Sequence, residues 1–235
     1  MENRILESPT RIDAVVDRAL SERHESYQRE VRRLMDAGYA VMRETGQLEP
    51  RVSEIVRASG LSNQAFYRHF KSKDELLLAI LDDGQRTLVG YLQHRMHGAA
   101  GPLEAVRRWI EGVLAQAVHP RAARATRPFV IHRARLAERF PEEVRRTNRL
   151  LVEPLVDALA EAVARGLAPD ADPERDADVL YHLAMGWMQL KLVEGGDPTA
   201  EDAAHVVDFA MRGLLGPLSD RLSGIRGPKG GPRGA

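Results

Sequence analysis

Asn63, Gln64, Tyr67, Arg68 and His69 stand together, with Lys71 and Lys73 close behind. Their amide, phenol, guanidinium, imidazole and ammonium groups suit contact with a phosphate backbone. From Arg51 to Lys73 five basic residues face a single acid, Glu54. The elements that must present these groups are two short helices around a tight turn. Ile55, Val56 and Ser59 share one face of the first, at about 52–59. Gly60 can leave that helix with positive φ, which a Cβ resists. Ser62 caps the second helix, about 62–69, by accepting a bond from a free amide of its first turn. That second helix buries Ala65 and Phe66, with Phe70 beyond it, and keeps its polar residues outside. Such a pair is a helix-turn-helix, whose second helix enters a DNA major groove.

Helical periodicity extends through nearly all of the chain, and no sustained strand-type alternation occurs. The expected class is all-α, with about nine or ten helices. Residues 10–20 are amphipathic (Ile12, Val15, Val16, Ala19, Leu20), with Thr10 as a cap. They form a separate piece or run on into a helix over 21–45 that buries Tyr27, Val31, Leu34, Met35, Gly38, Val41 and Met42. A fourth helix begins at Ser72 or Lys73, with Asp74 and Glu75 set against its positive end. It continues for about two dozen residues, roughly 35 Å, long enough to leave one domain and enter another. Pro102 opens a helix ending near His119, and 121–140 is helical with an interruption around Pro128. Pro141 opens a helix kinked at Pro154, and the last two helices cover about 173–195 and 199–215. The resulting division is an arm over 1–20, a DNA-binding domain over 21–80 and a larger body over 81–218. A Gly/Pro-rich basic tail over 219–235 is expected to be disordered.

A hydrophobic content of 43% and a charged content of 29% are ordinary for a soluble globular protein. The absence of cysteine excludes disulfides, thiolate metal sites and cysteine nucleophiles. Apolar runs are far too short to span a membrane, and the amino terminus lacks the order of a signal peptide. A cytoplasmic location is expected. Net charge is zero, yet residues 99–149 carry eleven arginines against five acids, and 153–208 carry thirteen acids against three basic residues. DNA is attracted by a local patch, so the zero total excludes nothing. The acidic segment is expected to face away from DNA.

From Leu34 to about Leu81 the chain resembles the tetracycline-repressor (TetR) family of bacterial transcription regulators. The resemblance rests on Leu34-Met35, Ala37, Met42 and Gly46, then Ile55, Gly60-Leu61-Ser62, Tyr67-Arg68-His69-Phe70 and Lys73-Asp74-Glu75-Leu76. It implies a homodimer on double-stranded operator DNA, each second helix in one major groove, with half-sites about 34–36 Å apart or at a related spacing. By position, Asn63, Gln64 and Ala65 would meet base edges. Asn and Gln pair bidentately with adenine, and an Ala methyl touches that of thymine. Tyr67, His69 and Lys73 would hold phosphates, and Arg68 would do either. Ser53 and Ser62 join the DNA-facing set. Arg51 departs from the family, which usually has a capping Thr there. It can neutralise a phosphate but leaves the first amides to Ser53 or solvent. Gly38, in place of the usual Ala, costs roughly 1 kcal/mol of helix propensity.

In the larger body, Trp109, Phe129, Met185, Trp187 and Met188 line an effector pocket or simply build core. His132 and His182 are polar handles in such a pocket or satisfied core histidines. The arginines of 121–149 meet an anionic effector such as an acyl-CoA phosphate, or balance the acidic segment. His94 and His97 have no accompanying ligand at metal spacing and read as a solvated pair. No metal or cofactor is expected. The helix over 178–191 is apolar on nearly every side, and the next repeats the pattern. Val179, Leu183, Ala184, Trp187, Val206, Ala210 and Leu214 are therefore expected to pair with their copies in a four-helix dimer interface.

Three functions compete: a repressor released from its operator by a small molecule, a DNA binder without effector, and a helical enzyme. Residues 81–218 contain no serine or cysteine, and no phosphate-binding glycine loop or HExxH motif appears. The expected protein is a regulator and not an enzyme. The arm over 1–20 either packs on the body or lies near DNA.

Overall fold

The computed structural model describes residues 11–216. The expected cap Thr10 and the tail over 219–235 lie outside them. Ten helices and no strand occur among the described residues, in two compact units that meet at Asp83 and Gly84 in the sequence.

The first unit holds α1 (Arg11–Thr45), α2 (Val52–Ser59), α3 (Asn63–His69) and the start of α4 (Lys73–His97). Neither proline nor a capping break interrupts 11–45, so residues 11–20 of the expected arm and the first helix are one continuous rod. Ile12, Val15, Val16 and Leu20, in its first turns, are exposed. Leu34, Ala37, Gly38 and Met42 are buried, and Gly46 ends the helix at φ +68°. Tyr27, expected on the buried face, lies 44% exposed because it precedes the stretch that α2 and α4 cover. Gly38 has a positive role. A Cβ there would stand 3.0 Å from Ile80 Cδ1 and 3.2 Å from Leu76 Cδ2. Its lost propensity is offset by letting α1 and α4 approach closely. Ile55, Phe66, Phe70, Leu76 and Leu77 complete this core.

In the second unit, the remainder of α4 is followed by α5 (Pro102–Val118), α6 (Pro120–Ile131), α7 (Arg133–Arg139), α8 (Pro141–Ala164), α9 (Pro173–Glu194) and α10 (Ala200–Leu215). Four of these helices begin at proline, whose missing N–H is harmless in a first turn. The expected interruption at Pro128 is displaced: α6 runs through it and ends at Ile131, with His132 as its cap. So near the helix end, that proline removes only the donor to Arg124's carbonyl. Helix α5 is central, packed on α6, α8, α9 and α10. Trp109 at its middle is fully buried and donates from Nε1 to the carbonyl of Leu151, 3.0 Å away.

On α9 and α10 the apolar residues divide between two faces. Ala184 and Ala210, expected at a dimer interface, are buried in the unit's own core with Leu180, Tyr181, Met188, Val207 and Met211. They stand one face away from the surface. The outward stripe of α9 is Val179, Gly186, Leu190 and Val193, and on α10 it is Phe209 and Gly213, with Leu183 and Val206 half-buried against the unit's core at its edge. Val179 and Phe209 are 62% and 59% exposed. Trp187 and Leu214 are half-buried at its edge.

Replacing Trp109 by Phe keeps most of the ring volume but withdraws the donor from Leu151. We expect a loss of about 1–3 kcal/mol in urea unfolding, with helical content retained.

Candidate nucleic-acid interface

The turn between α2 and α3 is closed by local bonds and one tie from α1. Gly60 has φ +65°, and its N–H and that of Leu61 bond back to the carbonyls of Arg57 and Val56. Ser59 Oγ accepts from Leu61 N at 3.3 Å and donates to Val56 O at 3.1 Å. From α1, Arg33 Nη2 donates to the carbonyl of Ser59 at 2.7 Å, tying the turn to the long helix. Ser62 Oγ accepts from Ala65 N at 3.1 Å, the cap expected of it.

Helix α3 turns Ala65 and Phe66 inward and leaves Asn63, Gln64, Tyr67 and Arg68 at the surface, Tyr67 60% exposed. Ala65 is therefore a packing residue, its methyl turned from any base. His69 is corrected too: its side chain is 2% exposed, so it cannot reach a phosphate from this position. Its Nε2 lies 2.7 Å from Glu30 Oε2, and Arg68 Nη2 donates to the same oxygen at 2.5 Å. Tyr27, one turn earlier on α1, meets the His69 ring edge-on at 4.9 Å, with the Arg68 guanidinium 5.7 Å from its own ring centre. These bonds to His69, then to Arg68, hold the Glu30 carboxyl below the usual carboxylate range. Glu30 and Tyr27 were missed as site residues. The available signal was an acid four residues before Leu34, on the face that α1 turns toward its neighbours.

Arg51 and Ser53 are exposed at the start of α2. Arg51 makes no side-chain cap bond to the first turn; instead Glu54 Oε2 reaches back to accept Arg51 N–H at 2.8 Å. Glu54 N and Ile55 N donate to Arg51's carbonyl at 2.9 and 3.2 Å. At α4, Ser72 Oγ accepts from Glu75 N at 3.3 Å, and the Glu75 carboxylate accepts from Lys71 N at 2.6 Å. Lys73, half-exposed, pairs with Glu49 at 2.7 Å. The outer surface is thus two neutral amides and a phenol on α3, flanked by cations, two of which already hold carboxylates.

Residues 34–80 match the family model for bacterial regulatory proteins, tetR family. The match covers the last part of α1, all of α2 and α3, and the start of α4. The fold agrees over most of the chain. A TetR-family transcriptional regulator from Pectobacterium atrosepticum superposes with a TM-score of 0.62 at 21% identity, over 82% of this chain and 97% of that one. The transcriptional regulator FadR from Bacillus subtilis, in complex with stearoyl-CoA, gives 0.60 at 12% identity, over 78% and 97%. AibR, in complex with isovaleryl coenzyme A and operator DNA, gives 0.59 at 19% identity, over 80% and 99%. No curated protein matches the sequence.

In the second unit the expected pocket residues separate. Trp109 and Met188 are wholly buried, and Met185 and Trp187 pack against the same core. Phe129 and His132, at the end of α6, are half-buried. His182 is exposed, its Nδ1 2.8 Å from the carbonyl of Asp178, so it is neither a handle inside a pocket nor a core histidine. Tyr181 occupies the buried position beside it. Its hydroxyl donates to Asn148 Oδ1 at 2.8 Å, and burial raises its pKa against the influence of Arg133. Among the arginines, Arg145 pairs with Glu142 and Arg139 lies over Phe140. Arg107 joins the acidic segment at Asp208, 3.6 Å away. Among the described residues no cluster fit for a metal occurs, and no helix is long and apolar enough to cross a membrane.

A depressed carboxylate contributes stability that is complete above its unfolded pKa and lost as pH falls through its folded value. Glu30 is such a group. Glu30→Gln should therefore melt lower than the parent at neutral pH, and the gap should close as thermal melts are repeated into acid. A gap independent of pH would refute this linkage.

Proposed function

We propose that this protein is a transcriptional regulator, a homodimeric, sequence-specific DNA-binding repressor released from its operator by a small-molecule effector, and not an enzyme. The observation that supports it most is the build of α3. A helix of seven residues is capped by Ser62, anchored by Phe66 and tied to α1, yet spends no bond of Asn63 or Gln64 on the fold. Free amides on a rigid support suit base edges, and Tyr67 beside them suits a phosphate oxygen. Arg51, Ser53 and Lys73 border this face.

One α3 reads one half-site, so the reading needs a second copy. The outward stripe of α9 and α10 supports that pairing: its apolar side chains are regularly spaced, and a Cβ at Gly186 or Gly213 would meet nothing within 4 Å. A partner helix can approach closely there. As effector, an acyl-CoA is the ligand class to try first. FadR and AibR were solved with stearoyl-CoA and isovaleryl coenzyme A, and the arginines of α6–α8 suit an anionic headgroup. Whatever the ligand, it can shift the dimer only by its differential affinity for the DNA-competent and released states.

Gel shifts on DNA flanking the gene should give binding that falls steeply with salt. Tyr67→Phe should weaken it several-fold on every sequence, whereas Gln64→Ala should alter sequence preference. Unchanged binding in both would contradict the role of α3. In light scattering Phe209→Glu or Leu190→Glu should give folded monomers, while Ala184→Glu, which buries an unpaired charge, should unfold the second unit. A folded dimer surviving Phe209→Glu and Leu190→Glu together would exclude this face.

A further inference from the structure

Arg68 sits on the recognition helix but does not present a free charge. Its Nη2 lies 2.5 Å from Glu30 Oε2, an oxygen that His69 Nε2 also reaches at 2.7 Å. The Arg68 guanidinium lies 5.7 Å from the Tyr27 ring centre. The carboxylate is 26% exposed and the guanidinium 44%, so the pair sits at the rim of the DNA-facing surface, half-shielded from water. His69, almost wholly buried, fixes the carboxylate from behind, and the edge-on Tyr27 ring fixes His69. Glu30 is thereby held in place from two sides before any DNA arrives.

A guanidinium placed here without its carboxylate would be an additional phosphate ligand that reads no sequence. Phosphate contacts raise affinity for all DNA alike, through release of condensed counterions, whereas discrimination comes from base edges. From this geometry we propose that Glu30 is a specificity-determining positioning residue. It keeps Arg68 neutralised in the DNA complex and withholds that charge from the phosphate backbone. Binding then depends more on Asn63 and Gln64 and less on attraction common to every sequence. The charge-for-charge bond has a second effect, since it docks the last turn of α3 on α1. The inference rests on the DNA-binding reading above.

The two effects separate in the salt dependence of binding to an unrelated duplex, measured with full-length protein by fluorescence anisotropy. Glu30→Gln keeps an acceptor for His69 and removes the charge that holds Arg68. It should bind unrelated duplex more tightly than the parent, with a log–log salt slope steeper by about 0.9, one added phosphate contact. Between 50 and 200 mM salt it would lose about threefold more affinity than the parent. Glu30→Gln with Arg68→Gln should return to the parental slope. Arg68→Gln alone should weaken binding through the lost tie yet keep that slope, because a neutralised guanidinium displaces no counterion. A parental or shallower slope in Glu30→Gln overturns the proposal, as does a slope shallower by about one in Arg68→Gln. If Glu30→Gln does not fold by circular dichroism, the Arg68→Gln slope decides the matter alone. Failure of the parent to bind any duplex would overturn the DNA-binding reading and this inference with it; the other outcomes touch only Glu30.

Discussion

A helix of seven residues cannot sustain itself in water, because nucleation costs more than two turns of hydrogen bonds return. Helix α3 exists only because something else holds it, and much of the first unit does that holding. Phe66 and Ala65 bury its inner face, Ser62 caps its start, and Glu30 grips its end through His69 and Arg68. Each contact uses a side chain or amide on the inward or terminal side, which leaves Asn63, Gln64 and Tyr67 outside. The long α1 is the common support. It supplies Leu34 and Met42 to the core, Arg33 to the turn, and Glu30 and Tyr27 to the end of α3.

The same economy governs charge at the site. Arg68 and Lys73 hold Glu30 and Glu49, while Arg51 and Arg57 remain exposed along α2. Counting basic residues along the sequence therefore overstates the field that α3 itself presents. In the second unit the ordering is reversed. There the core around Trp109 and Tyr181 is built from the inward faces of α5, α8 and α9, and apolar residues left over on α9 and α10 make the outward stripe. A helix apolar on nearly all sides has to serve two neighbours, and only one of them belongs to the same unit.

Much of this was legible before any coordinates. The turn at Gly60, the cap at Ser62, the inward Phe66 and the boundaries of α2, α3 and α4 follow from local rules: the cost of positive φ, unpaired amides in a first turn, and apolar spacing. What failed did so for a common reason. Ala184 and Ala210 rest on helical position, and the DNA contacts of Ala65 and His69 on the family resemblance, none of them on tertiary contacts. A difference of one residue rotates a side chain by about 100° around the axis. Near the edge of a face, that rotation decides between core and solvent. Tyr27 went the other way, lying on the continuation of a buried stripe but beyond the elements that cover it.

The sequence by itself determined the class of fold, the helix-turn-helix and the polar groups available on its outer helix, because each depends on residues within one or two turns of one another. The tertiary structure decided which of those groups are free. Glu30 and Arg68 are 38 residues apart, and Tyr181 and Asn148 are 33 apart. No local propensity encodes such bonds. They arise when packing of apolar faces brings two helices to a fixed separation, and only then does a carboxylate on one become the partner of a cation on the other.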